Sequence, residues 1–218
     1  MIPLKDESRH PARFPIVTAL IIALNVLAFI LELIGGEAFV TQWSVIPADL
    51  LAGRHPITVV TSLFMHGSWS HILGNMVYLW AFGPEIEDAM TRGRYSVFYL
   101  AGGVVSMLAQ VAVEPSSTVP NLGASGAIAA VMGAFIVTYP RDRIRTVLFI
   151  GWFVRVAFLP AALLIGIWFL IQLLSVGVVA GAESGGVAYF AHIAGIVFGA
   201  VTGRLFEVPS RRRRQWQL

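Results

Sequence analysis

Of the 218 residues, 57% are hydrophobic and only 12% charged, roughly half the charged fraction of a water-soluble domain, and the mean hydropathy is +0.77; an ordinary soluble core is excluded. The absence of cysteine excludes disulfides and thiolate metal sites. The pI of about 9.7 comes from one lysine and fourteen arginines that cluster between apolar runs, a distribution that reads as topology signals rather than a nucleic-acid surface.

A helix crossing a hydrocarbon core of about 30 Å needs around 20 mostly apolar residues, and six segments qualify. The first, residues 14–34, is longer than the apolar run of a signal peptide, and no A-x-A site follows it, so it is expected to be retained as a helix. The second covers residues 70–82, extended at its start by 58–65, and Gly83-Pro84 is expected to end it. The third covers 95–113 and the fourth 121–139, with Pro140 following. Residues 146–159 are apolar but carry Arg155, which suggests an interfacial segment. The fifth helix lies in 160–180, with Pro160 suited to a first turn, and the sixth in 187–206.

Charge orients these segments. Lys5, Arg9 and Arg13 precede the first; Arg92 and Arg94 follow the second; Arg141, Arg143, Arg145 and Arg155 separate the fourth and fifth; Arg204 and Arg211 to Arg214 close the chain. The opposite loops hold Arg54 alone. The expected fold is therefore an all-α membrane protein, a six-transmembrane-helix bundle with both termini cytoplasmic. It divides into a cytoplasmic segment (1–13), a membrane domain (14–206) and a basic tail (207–218). The tail either rests on anionic headgroups or acts as a plain topology signal.

Polar side chains inside membrane helices mark function by default. His71 and Asn75 stand four apart in the second helix, on one face; Ser125 is near the start of the fourth; His192 is in the first turns of the sixth. Under the expected topology all four fall in the outer half of the membrane. Ala191, Gly195, Gly199 and Gly203 recur every fourth residue in the sixth helix, and Gly126 and Ala130, with Gly133 nearby, form a similar ridge in the fourth. Small residues at that spacing let helix backbones approach closely, which would bring His192 to Ser125. A serine hydroxyl needs an adjacent base to become a nucleophile, and histidine serves near neutral pH. His71, Asn75 and backbone N–H groups around Ser125 could stabilise an oxyanion, helped by the helix dipole. The twelve acids are placed in loops, tails or helix ends, Glu183 being nearest to His192 in sequence, so a Ser–His dyad is favoured over a triad.

Each residue also has a plainer reading. Small residues around one serine are usually packing, and Asn75 alone could be an interhelical hydrogen bond. His66 is expected in the outer loop, and Trp43, Trp69 and Trp152 as interface anchors. Only the joint pattern carries chemistry.

The motifs His71-Ile72-Leu73-Gly74-Asn75, Gly123-Ala124-Ser125-Gly126 and Ala191-His192-Ile193-Ala194-Gly195, with Gly199 following, resemble those of bacterial rhomboid intramembrane proteases, over most of residues 14–206. The resemblance implies Ser125 as nucleophile, His192 as general base, oxyanion support from His71 and Asn75, no cofactor, membrane-anchored protein substrates, and a bacterial inner-membrane location. Three features depart from the family pattern. Arg54-His55-Pro56-Ile57 stands where a Trp-Arg pair is common. Ala129 stands where an aromatic residue often stacks on the histidine, a part for which Tyr189 is the candidate. Pro84 or Glu85 stands where asparagine is common. Two rival functions remain: an inert rhomboid-like protein that binds membrane clients, and a small transporter or proton relay using His71 and His192, which would ordinarily include a membrane-embedded acid.

Overall fold

The first long apolar segment forms α1, Ile16–Trp43, reaching nine residues beyond the expected end at Ile34. Gly36 (φ 61°, ψ −155°) sits in a backbone region open essentially to glycine alone and kinks the helix two residues beyond the expected end. In this computed structural model, residues 1–179 and 189–209 are described. The outward face of α1 is apolar, with Leu20, Leu24, Leu27 and Leu31 exposed, as a lipid-facing stripe requires.

Residues 58–65 do not extend the second helix. They form part of a layer of short elements, α2 (Pro47–Leu51), α3 (Thr58–Thr61) and a 3-10 turn (Ser62–Phe64), that ends in extended backbone at Met65. A new helix, α4 (Trp69–Met90), then starts at Ser68, whose hydroxyl accepts from the His71 N–H at 3.2 Å. This is an N-cap.

Gly83-Pro84 does not end α4. The missing N–H of Pro84 costs a hydrogen bond, but the residues beyond it are held by burial: Glu85, Ile86, Glu87, Ala89 and Met90 are all buried. The Glu87 carboxylate accepts from Val17 N (3.0 Å), Thr18 N (2.8 Å) and Thr18 Oγ1 (2.9 Å). It thereby satisfies the free donors at the start of α1 with charge-assisted bonds.

Helix α5 (Arg92–Val113) follows after Thr91 alone. The next helix, α6, is Ser125–Thr138, four residues shorter at its start than expected. Asn121 forms a two-bond bridge with Val45, and Gly123 N donates to Ser62 O at 2.9 Å. These bonds hold the approach to α6 in extended form against the short-element layer.

The all-α expectation is corrected by a three-stranded antiparallel sheet. Its strands are β1 (Ile2–Asp6), β2 (Arg143–Ile150) and β3 (Phe153–Pro160), in the order β1-β2-β3. The run expected to be interfacial is thus a hairpin, turning at Gly151. Its β-branched and aromatic residues suit strands better than a helix. Helix α7 (Ala161–Val179) begins directly after Pro160, and α8 is Tyr189–Phe206. Glu183 and Arg211 to Arg214 lie outside the described residues.

Helix α6 is the centre. It is apolar on every side, and each residue from Gly126 to Phe135 is buried, as such a helix requires. Helix α8 meets it backbone to backbone, because the expected glycine stripe does face it. A Cβ added at Gly195 would overlap the Gly126 carbonyl oxygen; one at Gly199 would overlap that of Ala130; one at Gly203 would stand 2.7 Å from Ala134 Cβ. Among the described residues three helices, Ile16–Trp43, Arg92–Val113 and Tyr189–Phe206, are long and apolar enough to cross a membrane, while Ser125–Thr138 and Ala161–Leu170 are apolar but shorter. The chain is a mostly helical integral membrane protein.

The placement of every acid in a loop, tail or helix end is also corrected. Glu32 is buried well inside α1, and Glu85 is buried more than a turn before the end of α4.

Candidate active site

Ser125 is the first residue of α6, so the unpaired N–H groups of that helix's first turn surround it. His192 is the fourth residue of α8 and is buried. The close approach at Gly195 and Gly126 lies within one turn of both residues. His192 Nε2 and Ser125 Oγ are 2.6 Å apart, a strong hydroxyl hydrogen-bond distance. With Nε2 unprotonated, the hydroxyl donates to it, the arrangement in which a base can take the serine proton. The ring of Trp168, from α7, lies 5.1 Å from that of His192, and Tyr189 meets it edge-on at 6.5 Å. Tyr189 does reach the imidazole, but the nearer aromatic is Trp168. An aromatic residue in a uniformly apolar helix gives no sign in sequence of which neighbour it faces.

His71 comes to the same place by another route. Gly123 has φ +135°, a conformation unfavourable to any side chain. A Cβ there would stand 2.9 Å from His71 Cε1, 3.0 Å from His71 Nε2 and 3.5 Å from Ser125 Oγ. The imidazole of His71 and the hydroxyl of Ser125 therefore border the same small space above the Gly123 backbone.

Asn75 is one turn further along α4 and buried, and its Nδ2 donates to His66 Nε2 at 2.9 Å. His66 in turn is fixed by Glu32, whose two carboxylate oxygens accept from the His66 backbone N–H at 2.9 and 3.1 Å. The His66 and His71 rings touch edge to face at 5.1 Å. Thus Glu32, His66 and Asn75 form a buried polar chain against which His71 rests. His66 lies in the loop before α4, as expected, but it is buried there rather than exposed, and Glu32 carries no role in the sequence expectation. An acid in a long apolar helix was the available signal, masked because the apolar run was counted only to Ile34.

A helix start carrying Ser125, a histidine from α8 in hydrogen-bond contact, and a second imidazole from α4 bring one serine and two histidines together in a mostly helical membrane protein. The Rhomboid domain family model matches residues 53–207, and the chain belongs to the rhomboid family. It is similar to the Rhomboid protease GluP of Bacillus subtilis, at 32% identity over 126 residues, 56% of this chain and 24% of that protein. It is similar to the mitochondrial Presenilin-associated rhomboid-like protein of Homo sapiens, at 30% over 131 residues, 58% of this chain and 34% of that protein. A mitochondrial Rhomboid protein 1 of Saccharomyces cerevisiae shares 26% over 115 residues, 51% of this chain and 33% of that protein. The matched regions thus span about a quarter to a third of the length of these relatives.

Proposed function

We propose that the chain is an intramembrane serine endopeptidase that cleaves peptide bonds in or near the transmembrane segments of membrane-anchored proteins. The observation that carries this reading is the 2.6 Å contact between His192 Nε2 and Ser125 Oγ at the start of a helix of 14 residues. At 1.5 Å per residue such a helix spans about 21 Å, less than a hydrocarbon core of about 30 Å. If Thr138 lies at one interface, Ser125 is recessed below the other. The bundle then crosses the membrane six times, through α1, α4, α5, α6, α7 and α8, with both termini cytoplasmic by the charge bias. Residues 14–206 form the membrane domain, flanked by 1–13 and 207–218. A bacterial inner membrane is the proposed location.

In this reading Ser125 Oγ attacks the scissile carbonyl carbon while its proton passes to His192 Nε2. The carbonyl oxygen becomes an oxyanion facing His71 and the free N–H groups at the start of α6, with Asn75 supporting this wall through His66. His192 then gives its proton to the leaving amine nitrogen as the C–N bond breaks, leaving an ester on Ser125. A water deprotonated by His192 attacks that ester, releasing the acid and restoring the hydroxyl. The chain's own groups account for every proton transfer.

The test is cleavage of a membrane-anchored reporter by the protein reconstituted in proteoliposomes. Wild type should cut it, and Ser125→Ala and His192→Ala should not, with thermal stability retained. Cleavage surviving in Ser125→Ala would overturn the nucleophile. An uncut reporter that wild type nevertheless captures would point to an inert client-binding protein.

A further inference from the structure

The hairpin β2–β3 leaves the bundle and exposes its far end. Near its base Ile144 and Thr146 are buried, and β1 pairs along β2 from Asp6 to Ile2. At its tip Phe149, Trp152, Phe153 and Val154 are exposed, Trp152 completely. Such a cluster in water would be an aggregation liability. The charges are ordered along the hairpin: Arg143 and Arg145 lie toward the base, Arg155 opposite Leu148, and no charge lies beyond it. From Arg155 to the turn is two to three residues, about 7–10 Å of strand. That matches the depth of about 5–10 Å to which amphipathic elements enter the headgroup–acyl boundary. The last residue of β3 is followed at once by the apolar helix α7, so the hairpin's base is tied to the membrane-embedded body with no linker.

We propose that this hairpin is a lipid-inserting wedge. Its Phe149–Val154 tip enters the acyl boundary of the leaflet at the N-terminal end of the bundle, and Arg155, with Arg143, engages anionic phospholipid headgroups, while Arg145 is held by Glu7 at 2.9 Å. The aromatic tip supplies insertion, as tryptophan does at membrane interfaces, and the arginines supply preference for anionic lipid. The basic base and apolar tip are complementary to the two chemical layers that a leaflet presents in the same order. Strand β1 stiffens the arm by completing the sheet, so the wedge and the bundle are one mechanical piece. The proposal is independent of the Ser125–His192 assignment.

The full chain has no cysteine, so one introduced cysteine takes a spin label uniquely. Val154→Cys labels the tip and keeps Trp152 and Phe153. Leu24→Cys on the outward face of α1 gives the lipid reference, and Val119→Cys in the α5–α6 connection the aqueous one. The measurement is the relative collision of the label with oxygen and with a water-soluble nickel chelate, in dilute bilayers of phosphatidylcholine with and without phosphatidylglycerol. The label at 154 should approach the lipid reference in the anionic bilayer. Adding Trp152→Asp and Phe153→Asp should return it to the aqueous value, and Arg155→Gln should weaken the response to phosphatidylglycerol about fivefold. An aqueous value in the anionic bilayer would overturn the wedge. Equal insertion with and without phosphatidylglycerol would overturn the headgroup preference. Protection that disappears as protein is diluted in lipid would assign the tip to a second copy of the chain and overturn the proposal.

Discussion

Replacing Gly199 by alanine tests whether the α6–α8 contact positions the proposed dyad. A Cβ at Gly199 would overlap the Ala130 carbonyl oxygen and stand 2.7 Å from its carbonyl carbon and 2.9 Å from its Cα. Carbon atoms in ordinary contact sit at about 3.5 Å or more. The obstacle is helix backbone, so no side chain can swing aside; the carbonyl oxygen is the nearest atom, and clearing it parts the helices by roughly 1 Å or more. Added to the 2.6 Å between His192 and Ser125, a displacement of that size takes the pair beyond hydrogen-bond distance. A misplacement near 1 Å costs about 10²-fold in rate, and overpacking of this kind costs about 1–3 kcal/mol in stability. The assay is the initial cleavage rate of a quenched fluorescent transmembrane peptide in detergent, with Tm measured on the same preparation. Val197→Leu, on the exposed face of α8, is the control and should change neither. Wild-type rate and Tm in Gly199→Ala would refute the idea that this contact sets the geometry of the site.

Other substitutions address other parts of the site and fold. Asn75→Ala and His66→Ala should each lower kcat while leaving more activity than Ser125→Ala: they position His71 rather than replace it, so their cost stays below the loss, on the order of 10²–10³-fold, that removing an oxyanion donor causes in a soluble serine protease; unchanged kcat in both would remove this polar chain from the reaction. Trp168→Ala should reduce activity more than Tyr189→Ala, because its ring is the nearer to His192; equal effects would contradict the ordering. Asp6 gives a pH signature: burial, and then the negative charge of Asp142, push its carboxyl up from 3.8 to about 7, against the Ser8 N–H bond and Arg9. Because the folded protein holds the proton more tightly, this group's contribution to stability is greatest below pH 4 and falls as pH rises toward 7. Asp6→Asn should therefore raise Tm at pH 8 and flatten the pH dependence of Tm between 4 and 7, and a lower Tm at pH 8 would contradict this.

The helices and the site were legible in different degrees, for physical reasons. Apolar length located the bundle, and fourfold spacing of small residues located the α6–α8 contact, because both signals are local. The meeting of Ser125 with His192 followed from that contact and from the requirement that buried polar groups find partners. Element ends were harder. Pro84 is an effective helix breaker only where nothing beyond it is held, and here Glu87 binds the start of α1, a contact between residues some seventy apart. The pairing of Glu32 with His66 is not legible in sequence because it joins α1 to the segment before α4. The hairpin was hidden because a short apolar run does not by its periodicity distinguish strand from helix, and its pairing partner, β1, lies at the other end of the sequence from α7 and α8.

The central claim is that Ser125 is a nucleophile activated by His192. A fluorophosphonate reacts only with a serine so activated, and intact mass followed by peptide mapping identifies the residue that carries the adduct. The purified protein in detergent should gain one adduct, on the peptide containing Ser125, and Ser125→Ala and His192→Ala should gain none at the same exposure. An unmodified wild-type protein shown to be folded by its thermal transition, or an adduct that persists in Ser125→Ala, would contradict the account.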